Sequence, residues 1–130
     1  MSPRALVVED NPLNCALFLE VLRHDGFAPF CDYTGASAQH LAESLNPAVA
    51  LVDLQLPEVA GLDVIRGLRA SRATREIPIV AVSAFARTED GLGALAAGAD
   101  LFFCKPVDPR RLSKAILRLT GPVNEAVNVA

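Results

Sequence analysis

Five polar residues follow short apolar runs of the sequence, at positions where a buried strand would end. They are Glu9, Asp10, Asp53, Ser83 and Lys105. Three carboxylates close together repel one another unless a cation lies between them, and an incomplete cage of oxygen ligands suits Mg²⁺. An aspartate can also act as a nucleophile and form an acyl phosphate, whose charge a metal ion and a lysine then neutralise. These residue types therefore indicate phosphorylation of Asp53, assisted by Lys105 and Ser83.

Apolar runs alternate with helical patterns along the chain, and these elements must bring the polar residues together. The predicted strands cover residues 5–8, 28–31, 49–53, 79–82 and 101–104. The predicted helices cover residues 12–26, 36–45, 62–70, 89–97 and 109–119. This alternation predicts an α/β fold, a doubly wound five-stranded parallel sheet with helices on both faces. Since ligands bind beyond the carboxyl ends of such strands, the five polar residues are expected at one edge of the sheet.

Composition narrows the class of protein. The chain has 130 residues, of which 52% are hydrophobic, and neither a membrane-spanning run nor a signal peptide is evident, so a cytoplasmic protein is predicted. The net charge of -3 gives no indication of nucleic-acid binding. Cys15, Cys31 and Cys104 lack the spacing of metal ligands and are expected to be reduced thiols packed in the core. One domain is expected over residues 1–121, with a short tail over residues 122–130 and no output domain.

The order of the motifs resembles the receiver domain of response regulators in bacterial two-component signalling, over residues 4–120. LVVEDNPLN resembles the family's first strand and acidic pair, and LVDLQLPEVAGLDVI resembles the segment of the phosphorylated aspartate. IPIVAVSAFA resembles the strand before the switch hydroxyl, and GADLFFCKPVDPRRL resembles the last strand with its lysine-proline pair. The resemblance implies a flavodoxin-like (receiver) fold with strand order 2-1-3-4-5 and a cis bond between Lys105 and Pro106. It is strongest to DivK-like single-domain regulators and to receivers of hybrid kinases.

The resemblance also implies how the site would handle a phosphoryl group. Asp53 would be the phosphoacceptor, and Lys105 would pair with the phosphoryl group. Mg²⁺ would be bound directly by Asp10, Asp53 and the backbone carbonyl of Gln55, and Glu9 would act mainly through water. The chain would therefore be a signalling phosphoacceptor rather than an enzyme, assisting only its own phosphotransfer and dephosphorylation.

The same resemblance implies a conformational switch. Ser83 would bond the phosphoryl oxygen, and Phe102 occupies the position of an aromatic residue that moves inward when the hydroxyl moves. Phe102 lacks the hydroxyl of a tyrosine, so its switch would be a packing change. Ala84 is small, as access to the site needs, and Gln55 and Phe85 would flank the water that attacks in dephosphorylation.

The predicted partners are proteins. A histidine kinase or histidine phosphotransferase would supply the phosphoryl group, and a downstream protein target would respond to it. No nucleic-acid, membrane or small-molecule partner is predicted, and a monomer is expected, with a weak dimer as the alternative. Family members usually meet their phosphodonor through the first helix and the loop after the last strand. The expected contact residues are Pro12, Leu13, Asn14, Leu17, Phe18, Pro106 and Val107. The alternative for Leu17, as for Val21, is a place in the core, which their helical spacing favours.

The fourth predicted helix, within TEDGLGALAAGAD, is weak. Gly91 and Gly93 each destabilise it by about 1 kcal/mol relative to alanine. We hypothesise that this helix is marginal and that phosphorylation exposes or remodels a surface of Leu92, Leu95 and Ala96. The alternative is a short helix that its neighbours cover.

Two other classes of protein fit these residues less well, and one stays open. A phosphatase of the haloacid dehalogenase type needs a second aspartate two residues after the nucleophile, where this chain has Gln55. A flavodoxin needs a phosphate loop after the first strand, where Glu9 and Asp10 would repel a phosphate. A degenerate receiver that binds partners without being phosphorylated stays open as the alternative function.

Overall fold

Strands and helices alternate along the chain in the order expected from the sequence. The computed structural model describes residues 2–84 and 87–122. The strands within these residues are Arg4–Val8 (β1), Ala28–Asp32 (β2), Val49–Asp53 (β3), Ile79–Ser83 (β4) and Leu101–Cys104 (β5). The helices are Pro12–His24 (α1), Ala38–Leu45 (α2), Gly61–Ala70 (α3), Thr88–Ala97 (α4) and Pro109–Thr120 (α5). All neighbouring strands pair in parallel in the order β2-β1-β3-β4-β5, which confirms the predicted topology.

Side-chain caps fix the start of the first and last helices. The Asn11 side chain accepts hydrogen bonds from the backbone N–H groups of Leu13 and Asn14, and Asp108 accepts one from Arg110. A proline occupies the first helical position after each cap, where its missing N–H has no helical partner to lose. Both starts lie where the sequence predicts them.

Helix α2 begins two residues later than predicted. The buried carboxylate of Asp32 accepts hydrogen bonds from the backbone N–H groups of Thr34 and Ser37. These bonds hold residues 32–37 in a turn, so the segment is not free to join the helix.

Two apolar clusters fill the space on either side of the sheet. Helices α1 and α5 cover one face, and helices α2, α3 and α4 cover the other. Every residue of β3 and β4 is buried because these central strands are covered on both faces. Glu9 follows β1 and Asp53 ends β3, so both lie at the carboxyl edge of a rigid, buried sheet. No helix in the described part of the chain is both long and apolar enough to cross a bilayer.

The cysteines only partly follow the prediction. Cys15 is buried and Cys31 is half-buried, and their sulfur atoms are in contact between α1 and β2. Their Cα atoms are 7.3 Å apart, beyond the range of about 4.4 to 6.8 Å that disulfides span, so they are neighbouring thiols of the core. The prediction of a core-packed thiol is wrong for Cys104, which is exposed because β5 is a short edge strand.

Candidate functional site

The predicted polar residues meet at the carboxyl edge of the sheet. Strand register places Asp53 beside Val82 of the next strand, and Ser83 beside Cys104. The backbone N–H of Lys105 donates to the carbonyl of Ser83 at 2.8 Å, which holds the end of β5 against the end of β4. The Lys105–Pro106 peptide bond is cis, as expected. The convergence of these residues at one edge agrees with the rule for parallel sheets.

One ammonium group lies between two buried carboxylates at the centre of this edge. Lys105 Nζ is 2.7 Å from Glu9 Oε1 and 2.9 Å from Asp53 Oδ2. The side chains of Glu9 and Asp53 are 0% and 2% exposed, against 13% for Lys105. Buried charges are tolerated only where they are paired, so the lysine is what lets both acidic residues stay in this position. The sequence predicted all three residues in the site, but it did not predict that Lys105 contacts Glu9.

The environment changes how readily these groups ionise. Burial raises the pKa of Glu9 from 4.5 to about 7, against the opposing effects of the hydrogen bonds from Lys105 and from the backbone N–H of Asn11. Burial by itself lowers the pKa of Lys105, but the bonds to Glu9 and Asp53 outweigh it and raise the pKa overall. Lys105 is therefore charged near neutral pH, whereas the raised pKa of Glu9 brings its ionisation close to neutral pH.

Three carboxylates are placed to share a cation. Oxygen atoms of Glu9, Asp10 and Asp53 lie within 4.8 Å of one another, and Asp10 is the exposed member of the set. Glu9 Oε1 is fully buried and is paired with Lys105 Nζ at 2.7 Å. Three carboxylates face one ammonium group in this cluster, and a hard divalent cation is suited to balance the remaining negative charge. The residues present therefore fit a metal such as Mg²⁺.

Gln55 contacts both loops of the site. Its backbone N–H donates to Asp53 Oδ1 at 2.9 Å, and its side-chain oxygen accepts from the N–H of Ala84 at 3.3 Å. The predicted role of its backbone carbonyl as a metal ligand stays a prediction. The bond to Ala84 was missed from the sequence, because it depends on how the two loops approach each other. Phe85, predicted to flank the attacking water, lies outside the described residues.

Gly61 allows the loop after β3 to fold back tightly on the end of that strand. A β-carbon at this position would overlap the backbone carbonyl of Asp53 and would lie 2.5 Å from Cα of Leu54. The N–H of Gly61 donates to the carbonyl of Leu54 at 3.3 Å. Only a residue without a side chain permits this approach. The sequence motif contained Gly61, but its reason became visible only in the structure.

The switch candidates lie on adjacent strands. Ser83 is buried at the end of β4, and Phe102 is a half-buried residue of β5 that packs against the cluster under α2, α3 and α4. Helix α4 is formed, with Leu92 62% exposed and Leu95 48% exposed. The two leucines are thus on the surface, and the hypothesis that phosphorylation exposes or remodels the surface of α4 stays a hypothesis.

The predicted contact face for a phosphodonor is only partly accessible. Pro12, Leu13 and Pro106 are exposed, and Asn14 and Leu17 are half-buried. They stay candidates for docking.

For two residues of that face the prediction is wrong. Phe18 is 1% exposed and Val107 is 7% exposed, and both pack in the cluster under α1 and α5 together with Leu22 and Leu112. Phe18 lies on the inner face of α1, and Val107 is turned inward after the cis proline, so these two residues support the core rather than present a surface.

Fold and site together define a parallel α/β domain with a lysine-bridged acidic cluster at its carboxyl edge, the class to which phosphoacceptor domains belong. The family model for the response regulator receiver domain matches residues 5–117, so the chain belongs to the response regulator receiver family.

Comparisons with individual proteins agree with that assignment. The chain is 34% identical over 121 residues to the polar-differentiation response regulators DivK of Brucella ovis and of Brucella abortus, covering 93% of this chain and 98% of each relative. It is similar in structure to the receiver domain of the sensor histidine kinase PA1611 from Pseudomonas aeruginosa, with a TM-score of 0.85, 30% identity, and 93% and 99% of the two chains covered. That domain was crystallised with a magnesium ion coordinated in its active site cleft. A response regulator from Chloroflexus aurantiacus, 22% identical with a TM-score of 0.87 over 92% and 98% of the two chains, shares the fold.

Proposed function

We propose that this protein is a phosphoacceptor response regulator of the DivK-like kind. It accepts a phosphoryl group on Asp53 from a histidine kinase or histidine phosphotransferase, and the modification changes its binding to a downstream protein target. The observation that carries this proposal is the contact of the buried Asp53 carboxylate with Lys105, which also pairs with the buried carboxylate of Glu9. Membership of the receiver family supports the same reaction.

The transfer step follows from the chemistry of the donor. A carboxylate oxygen of Asp53 attacks the phosphorus of a phosphohistidine, a phosphorus–oxygen bond forms, and the phosphorus–nitrogen bond breaks. The electron pair of that bond returns to the imidazole nitrogen, which takes up a proton. Asp53 is held for this attack by the N–H of Gln55 on one oxygen and by Lys105 on the other. In-line positioning and charge stabilisation, rather than acid–base chemistry, are what such a transfer demands of a protein.

Mg²⁺ is the proposed cofactor. Asp10 and Asp53 would hold it directly with the backbone carbonyl of Gln55, and Glu9 would act mainly through water. The close approach of the three carboxylates supports this assignment, as does the magnesium ion in the Pseudomonas receiver. When bound, the metal neutralises negative charge on the phosphoryl oxygens and on the acidic cluster.

We propose that two side chains near the phosphoryl group transmit the signal. The hydroxyl of Ser83 would donate to a phosphoryl oxygen, and Phe102 would change its packing in response. The chain would then act through binding partners, and its chemistry would be limited to its own phosphorylation and dephosphorylation.

Incubation with a small acyl phosphate, with and without Mg²⁺, tests the proposal by intact mass. A gain of one phosphoryl group that requires Mg²⁺ is expected. A folded protein that gains no phosphoryl group under any condition would instead support the degenerate receiver that binds partners without phosphorylation.

A further inference from the structure

Both oxygen atoms of the buried Glu9 carboxylate are held, each by a donor from a different part of the fold. Glu9 Oε1 is 2.7 Å from Nζ of Lys105, which follows β5. Glu9 Oε2 accepts a hydrogen bond of 3.0 Å from the backbone N–H of Asn11, at the start of α1. The two contacts together set the orientation of the carboxylate, because a rotation that keeps one of them breaks the other.

The second donor belongs to the residue that caps helix α1. Asn11 Oδ1 accepts hydrogen bonds from the N–H groups of Leu13 at 2.9 Å and of Asn14 at 3.2 Å. The carbonyl of Asn11 accepts the first hydrogen bond of the helix, from the N–H of Cys15 at 2.9 Å. These bonds fix the backbone of Asn11 relative to the helix, and with it the direction of the N–H that reaches Glu9.

Pro12 narrows the backbone conformation of Asn11 but does not replace the cap. A residue before proline is confined to extended conformations, and Asn11 has φ -83° and ψ 119°. That region still spans about 40° in ψ, which is wide enough for the geometry of the bond to Glu9 to be lost. The capping bonds of the side chain select one conformation within it. Loss of the side chain should therefore loosen the N–H without removing the helix.

We propose that Asn11 is a positioning residue for the Mg²⁺ site. Its exposed side chain bonds to α1, and its N–H in turn holds the carboxylate of Glu9, so it acts on the site through Glu9. The inference rests on the proposed function, since it assumes that the acidic cluster of Glu9, Asp10 and Asp53 binds Mg²⁺. Hydrogen-bond partners of metal-binding carboxylates orient them, and their loss typically costs roughly 10- to 100-fold in metal affinity.

The two side-chain caps of the fold form a matched pair for the test. Asn11 and Asp108 each cap a helix, and each precedes a proline at the first helical position. Asn11→Ala and Asp108→Ala each remove a cap, and urea unfolding should show a similar loss of stability in both. Titration calorimetry then measures the dissociation constant for Mg²⁺. Asn11→Ala is expected to bind Mg²⁺ roughly 10-fold more weakly than wild type, and Asp108→Ala to bind it like wild type.

Two further variants separate the cap from the identity of the side chain. Asn11→Ser keeps an oxygen that caps a helix, so it should bind Mg²⁺ like wild type. Asn11→Gly has no capping oxygen but loses little helix stability, so it should bind Mg²⁺ more weakly than wild type and provides the test even if Asn11→Ala does not fold.

Amide hydrogen exchange in EDTA reports the positioning without any metal. The N–H of residue 11 should be protected in wild type and in Asn11→Ser, and should lose that protection in Asn11→Ala and Asn11→Gly. Weaker Mg²⁺ binding with the N–H still protected would overturn the positioning role.

The outcomes also separate this inference from the proposed function. A wild-type protein that binds no Mg²⁺ contradicts both. If the wild type binds Mg²⁺ and the alanine variants at positions 11 and 108 have equal affinity for it, only the role of Asn11 is overturned.

Discussion

Lys105 and Asp53 are 52 positions apart in the sequence, yet the ammonium of the first lies 2.9 Å from Oδ2 of the second. The same ammonium is 2.7 Å from Glu9, so one cation compensates two carboxylates that are almost fully buried. The strand ends of a parallel sheet make this convergence possible. Among the described residues, Lys105 is the cation that pairs with these two carboxylates, so charge balance at the site depends on it until a metal ion binds.

Replacing that lysine should slow phosphorylation without preventing it. Lys105→Met removes the cation nearest the attacking carboxylate, and loss of one such electrostatic contact typically costs roughly 10²-fold in rate. The rate of adduct formation with a small acyl phosphate at saturating Mg²⁺ measures the effect by intact mass. Lys114→Met removes an exposed lysine of α5 and serves as the control, with a rate equal to that of wild type. Equal rates for both variants would contradict the assigned role of Lys105.

Stability should depend on pH through Glu9. Its pKa is raised from 4.5 to about 7 in the folded protein, chiefly by burial. Between these two values the folded state binds more protons than the unfolded chain, so the free energy of unfolding should fall as pH rises from about 4.5 to about 7. Urea unfolding in the presence of EDTA measures this for wild type and for Glu9→Gln. The decline should be shallower in Glu9→Gln, and identical slopes would show that Glu9 is not the group responsible.

Mg²⁺ binding should depend on pH in the opposite direction. The carboxylate of Glu9 must lose its proton to support a cation, so affinity for Mg²⁺ should increase as pH rises through about 7, with release of protons. Titration calorimetry in buffers of different ionisation enthalpy counts those protons. Asp10→Asn should weaken binding at every pH, since Asp10 is exposed and contributes charge directly. An affinity for Mg²⁺ that is constant from pH 5.5 to pH 8 would contradict the involvement of Glu9.

Gly61 and Gly67 of α3 should respond differently to alanine. At Gly61 the new methyl group would overlap the backbone of Asp53 and Leu54, which cannot move without disturbing the site. A loss of about 1–3 kcal/mol in the free energy of unfolding is expected, together with slower phosphorylation. At Gly67 the methyl group meets only the flexible side chain of Gln39, at 3.2 Å, so the variant should be neutral or stabilised by up to about 1 kcal/mol. Equal effects of the two substitutions on urea unfolding would show that the loop can relax.

The sheet and the cluster of polar residues at its carboxyl edge were predictable from sequence because both depend on simple rules. Alternating apolar runs and helical patterns determine the order of elements, and parallel strands bring their carboxyl ends together. Asp53, Lys105 and Glu9 could thus be assigned to one site before any distance was known. Their mutual pairing could not be assigned, because it depends on side-chain orientation at the strand ends.

Where a feature depends on how the elements pack together, the prediction from sequence was missing or wrong. The bond from Ala84 to Gln55 depends on how far apart two loops lie, which no local pattern encodes. Phe18 was expected on a contact surface, but it lies in the core. Helical spacing shows which residues of α1 share a face, but it does not show which face is turned toward the sheet. Cys104 was expected in the core, but the short edge strand β5 leaves it exposed.

Identification of the modified residue tests the central claim most directly. The protein is treated with an acyl phosphate and Mg²⁺, reduced with borohydride, which converts an aspartyl phosphate to homoserine, and digested for peptide mass spectrometry. Homoserine at position 53 is the predicted result, with Asp53→Asn folded but unmodified. Homoserine at another aspartate, or an unmodified wild-type protein, would contradict the account.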